Sequence, residues 1–214
     1  MLFSLHELLD IVIMTFIIGF VFKNIFHYTP RVEVLTPEHY LKPGKKFRRF
    51  AWTDFWFAAA VVAPSIILHE FGHKFVAIAF GLTATFHSPI SIQHILNPSL
   101  IFSDFFALLT VIVIVSRLFG WGNFIIFVPA FTVISAGGSV LSNTLISFAG
   151  PAVNLAIWLA VMLILKTHKK MKNSTYQFLF LVKRINMFLF IFNMLPIPGF
   201  DGWSVWGGLI KLFF

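Results

Sequence analysis

Long apolar runs alternate with short polar breaks along this chain, and the runs define the elements. A spanning helix needs about 20 mostly apolar residues. Residues 8–26 make one such run, interrupted by Asp10. Residues 55–80 make a longer one, with Thr53 and Asp54 placed to cap its start and Gly81 to end it. Ser103 and Asp104 head a shorter run to residue 119, residues 144–165 form a clean span, and residues 176–195 form another that Pro196 and Pro198 break. The tail, 203–214, is too short to cross unaided. Segment 124–135 differs: it is rich in β-branched and aromatic residues and contains Pro129, which suits extended backbone better than helix. Strands exposed to lipid would leave backbone groups unpaired, so this segment must pack against protein or line a wet cavity. The pattern predicts an all-α polytopic membrane protein with about five to six transmembrane helices and a short re-entrant β segment. It forms a single domain over residues 1–214, with core helices at about 55–80, 144–165 and 176–195.

Composition places these runs in a bilayer. The chain is 58% hydrophobic and 11% charged, with 29 phenylalanines against 8 acidic residues, too few polar side chains to coat a water-facing surface. The net charge of +8 does not point to nucleic acid, because nine of the 16 basic residues sit in two short blocks beside apolar runs: Lys42, Lys45, Lys46, Arg48 and Arg49, then Lys166, Lys169, Lys170 and Lys172. Such blocks contact acidic headgroups or set topology. The expected partner is therefore the lipid bilayer and the expected location the cell membrane, as a multi-pass protein. Residues 1–10 contain no Lys or Arg, so they lack the basic start of a cleaved signal peptide and are expected to stay in the mature chain.

With no cysteine in the chain, His, Asp and Glu are the only strong metal ligands. Within the run 55–80, His69-Glu70-Phe71-Gly72-His73 places two imidazoles four residues apart, on one helix face. Three ionisable groups inside an apolar helix cost about 2.5–3.5 kcal/mol each on insertion scales. Zinc binding, worth about 10 kcal/mol or more, offsets that. Glu70 is near enough to act on a water at the metal without ligating it, which makes it the general-base candidate. A third ligand is required. Glu7, Asp10, Glu33, Glu38, Asp54 and Asp104 lie near helix starts or in loops, where capping and solvation explain them. Asp201 is different, since two prolines and two glycines break the chain around it, and with Glu70 it would neutralise a divalent ion. His87 and His94 are its rivals as third ligand.

These residues resemble a known family. His69-Glu70-Phe71-Gly72-His73 in a transmembrane run, Ala149-Gly150-Pro151-Ala152-Val153-Asn154 in a later one, and Asn193, Pro196, Pro198, Asp201 and Gly202 after that look like the site-2 proteases, intramembrane zinc metalloproteases, in a compact form without a PDZ domain. The resemblance implies one zinc per chain bound by His69, His73 and Asp201, catalysis by Glu70, and Asn154 and Asn193 near the substrate path. It implies hydrolysis of peptide bonds within or near transmembrane segments of membrane protein substrates, with segment 124–135 as re-entrant β structure that receives an unwound substrate as an added strand. The loop with His87, Ser88, Ser91, Gln93, His94 and Asn97 could admit water. Readings from other classes are an ion-coupled transporter, whose sites also use broken helices beside an intramembrane carboxylate, and a catalytically inactive zinc-binding scaffold.

The metal site constrains topology. For Asp201 to reach the imidazoles, the ends of the runs at 80 and 195 must face the same side, so the chain crosses an even number of times between 81 and 143, or enters and leaves. The loops at 27–53 and 166–177 then share the other face. Counting Lys and Arg places those loops in the cytoplasm, whereas the resemblance places them outside.

Overall fold

The structure, a computed structural model, describes residues 3–23, 25–26, 51–119, 131–168 and 170–214. Glu33, Glu38, the basic residues at 42–49, Lys169 and residues 124–130 of the expected β segment lie outside them.

Among the described residues seven α-helices and two short strands follow in the order α1 (Leu5–Phe22), α2 (Trp52–Ala79), β1 (Ala84–His87), α3 (Ile92–Leu96), α4 (Phe105–Leu118), β2 (Phe131–Ile134), α5 (Val140–Thr167), α6 (Asn173–Asn193) and α7 (Asp201–Phe213), with a 3₁₀ turn, Pro98–Phe102, between α3 and α4. This is an all-α polytopic membrane protein carrying a small sheet. Among the described residues four helices, α1, α2, α5 and α6, are long and apolar enough to span a bilayer. The expectation of about five to six concerned the whole chain, of which residues 27–50 and 120–130 are not described. At about 1.5 Å per residue the 14-residue α4 and the 13-residue α7 reach only about 20 Å, short of the hydrocarbon thickness.

Local chemistry explains most of the boundaries. Ser4 caps α1 in a capping box with Glu7, and Asp104 caps α4 by accepting from the amides of Phe106 and Ala107. Ser139 caps α5, which begins at Val140, about one turn before the expected start. Thr53 and Asp54 do not cap α2: the helix begins before them at Trp52, behind Ala51, and Asp54 sits in its first turn, where a negative charge favours the helix dipole. Gly81, at φ +76°, ends the turn after α2 with a left-handed residue, as the sequence suggested.

The core packs α1, α2 and α6 through Met14, Ile18, Val21, Val61, Val62, Ile66 and Leu189. On the other side α2 meets α5 at close range. A Cβ added at Gly72 would lie 2.7 Å from the Ala149 carbonyl oxygen, so only glycine permits this approach of the two backbones. Away from these contacts Leu159, Leu163, Phe188, Ile191 and Trp203 stand exposed, the faces that lipid covers.

β1 and β2 pair antiparallel, Ala84 opposite Ile134 and Phe86 opposite Thr132. Because β1 follows α2 and β2 precedes α5, the pair brings the C-terminal end of α2 and the N-terminal end of α5 to one side of the bundle. Replacing Gly72 with leucine should lower stability by about 1–3 kcal/mol, read as a fall in the thermal midpoint of the detergent-solubilised protein. An unchanged midpoint would contradict the close α2–α5 contact.

Candidate metal centre

The side chains that the sequence singles out as metal ligands converge from two elements far apart in the chain. His69 and His73 project from α2, one turn apart, and Asp201 opens α7 after the Pro196–Gly199 break. Their ligand atoms lie within 4.8 Å of one another. His69 Nε2 is 3.1 Å from His73 Nε2 and 3.1 Å from Asp201 Oδ2, while His73 Nε2 is 3.4 Å from Asp201 Oδ1. Tetrahedral zinc bound by nitrogen and oxygen at about 2.0–2.2 Å needs donors about 3.3–3.5 Å apart. The set fits a metal ion, and its donors suit zinc.

Hydrogen bonding on the far side of each ring decides what faces the centre. Asn154 Nδ2 donates to the Ser65 carbonyl at 3.2 Å and to Asn186 Oδ1 at 2.8 Å. Its Oδ1 is therefore the atom turned toward His69 Nδ1, 2.5 Å away, and accepts a hydrogen bond from the Nδ1–H. His73 Nδ1 likewise donates to the Ile146 carbonyl at 2.7 Å. With both Nδ1 atoms protonated, both Nε2 atoms present lone pairs to the same small volume, beside a carboxylate. Three electron-rich groups facing one another in an apolar bundle repel unless a cation lies between them.

Gly150 makes the centre possible. A Cβ there would run into the Nε2 atoms of both histidines, so the α5 backbone is the wall of the site. Glu70 is buried beside the centre. Thr132 of β2 donates to Glu70 Oε2 at 2.9 Å and to the Glu70 carbonyl at 3.2 Å, fixing one carboxylate oxygen and tying the strand to the helix.

A cavity of 710 Å³ opens next to the centre. Its wall includes His69, Glu70, His73, Thr132 and Asp201, an aromatic side formed by Phe105, Phe106, Phe131, Phe192 and Phe200, and Asn193. Asn193 thus lies on the cavity wall. Asn154, expected beside the substrate path, is wholly buried, and its amide is spent on His69, Ser65 and Asn186. It is a ring-orienting residue. The rivals for third ligand stay away from the imidazole pair: His94 caps α3 by accepting from the Ser91 amide, and His87 lies on β1 near Asp10 and Thr85.

Sequence reasoning also missed several partners. Glu7 and Asp10, read as capping or solvated acids, are 4% exposed. Glu7 does complete the α1 capping box, but it also pairs with the buried Lys74 and accepts from the Phe86 amide at 2.8 Å. Thr132, Asn186 and Ser65 carry no motif. The one available signal was that Asn186, like Lys74, is a polar residue in an apolar run, and such a residue must find a partner.

Compared with family models, with curated proteins and with solved structures, the chain matches none of them. Two outcomes check the centre. Asn154→Leu should weaken zinc binding about 10- to 100-fold by freeing the His69 ring, measured by equilibrium titration with a competing chelator. Gly150→Ala should abolish stoichiometric zinc by elemental analysis, since its methyl group occupies the space between the two nitrogens.

Proposed function

We propose that this chain is an intramembrane zinc metalloprotease of the site-2 protease type, located in the cell membrane, that cuts membrane protein substrates within or near their transmembrane segments. One observation carries the reading: two Nε2 lone pairs and a carboxylate converge, from sequence-distant elements, on a point beside a buried glutamate and a cavity. Zinc at that point would supply Lewis-acid polarisation of the scissile carbonyl and acidify water.

The chain's own residues supply the rest. Glu70 accepts a proton from the attacking water and returns it to the leaving amine. Thr132 holds Oε2, so Oε1 is the oxygen left to work. Asn154 and the Ile146 carbonyl keep the imidazoles in one tautomer.

An intact helix shields its carbonyls, so the substrate must be extended where it is cut. The sheet offers a way to hold it. The Phe86 amide points outward from β1, as its bond to Glu7 requires, and Phe86 faces Thr132. In an antiparallel ladder such a pair does not exchange backbone hydrogen bonds. The Thr132 amide and carbonyl therefore also point away from β1, on the edge of β2 that pairs with no other strand among the described residues. A substrate strand added along that edge lies against the cavity, with Phe105, Phe106 and Phe131 to receive apolar side chains and Asn193 to meet a backbone or polar group.

Glu70→Gln in purified protein reconstituted with candidate membrane substrates should retain one zinc and lose cleavage by about 1,000-fold or more. Cleavage undiminished in the zinc-loaded variant would sink the reading. A wild-type chain that holds zinc but cuts no substrate would favour the scaffold instead.

A further inference from the structure

Glu7 and Asp10 lie three apart on one face of α1, and both carboxylates reach the outer edge of β1. Glu7 Oε1 accepts from the Phe86 amide at 2.8 Å, and Asp10 Oδ2 accepts from the Ser88 amide at 3.2 Å. Phe86 and Ser88 are two apart, so these are successive outward amides of one strand edge. Two side chains of a helix thus stand where a neighbouring strand would be. Glu7 does more, because its other partner is Lys74, buried on α2 one residue after His73.

The contacts close a circuit. It runs from Lys74 to Glu7, to the Phe86 amide, across the ladder to Thr132, and from Thr132 back to Glu70 on the same helix. Two points on α2 four residues apart are joined through α1 and the sheet. Neither Glu7 nor Lys74 lines the cavity, so neither meets substrate or the reacting atoms.

We propose that Glu7, held by Lys74, is a positioning residue of the protease reaction: with Asp10 it closes the outer edge of β1, which fixes the sheet so that Thr132 orients Glu70 and β2 presents the open edge to substrate. The inference rests on the protease reading. It makes α1 part of the working unit, because its first turns set where an incoming strand docks.

Two double variants separate positioning from simple charge pairing. Glu7→Gln with Lys74→Met removes both charges but keeps an acceptor for the Phe86 amide. Glu7→Leu with Lys74→Met removes the charges and the acceptor. Each is purified, checked for zinc content, assayed for kcat and KM on an extended membrane-segment substrate, and mapped by amide hydrogen exchange. The Gln variant should keep kcat/KM within about threefold of wild type, while the Leu variant should lose about 100-fold, with raised KM and lowered kcat, as a displaced strand dictates. Both should retain zinc, and only the Leu variant should lose protection at Thr85 and Val133. Equal kinetics in the two variants would overturn the proposal, as would full ladder protection in the Leu variant. If wild type cuts nothing, the protease reading and the positioning role fall together, and exchange alone then decides whether Glu7 closes the edge. If the Leu variant does not fold, Glu7→Gln alone replaces it: strong loss of activity with the zinc and the ladder intact would also overturn the proposal.

Discussion

Everything at the heart of this molecule follows from the electrostatics of three groups with unshared electron pairs pressed together in a medium that screens little. Two imidazole nitrogens and a carboxylate at 3.1–3.4 Å would push one another apart, and the protein does not let them. Asn154 and the Ile146 carbonyl take the ring protons on the outer side, Gly150 lets a backbone stand against the inner side, and the turn after α6 delivers Asp201. Each device removes a way for the cluster to relax without a cation.

The surrounding helices are arranged to keep that cluster. Gly72 brings α5 onto α2, which is what places Gly150 at the imidazoles and Asn154 behind His69. The sheet connects the ends of the same two helices and brings Thr132 to Glu70. Fold and chemistry therefore share residues: the strands that tie α2 to α5 also bring Phe131, Thr132 and Ile134 to the cavity wall. Along the spanning helices many apolar side chains stand exposed, among them Leu159, Leu163, Phe188 and Ile191, while Asn154, Asn186, His69 and Glu70 are buried.

The sequence made some of this visible and hid the rest, for physical reasons. Long apolar runs and the four-residue spacing of His69 and His73 are local signals, so three of the core elements and one face of the centre could be read directly. Asp201 was legible because the prolines and glycines around it mark a break that a simple span does not need. The extended character of 131–134 showed in its β-branched residues, though not its pairing, since a partner strand 44 residues away in register leaves no local trace. Glu7 was read as a cap because it is one; its second role depends on Lys74, and no periodicity connects positions 7 and 74. Asn154 was placed near the substrate path on likeness alone, whereas its burial becomes evident only once Asn186 and Ser65 stand beside it.

The amide chain through Asn154, Asn186 and Ser65 stitches α5, α6 and α2 together with polar bonds in a place where no water can substitute. Pulling α6 off its neighbours would strand several donors and acceptors in hydrocarbon, each at a cost of several kcal/mol. That seam is consequently a zip sewn shut, and whatever passes between the helices of this protein has to find its way in along a different border.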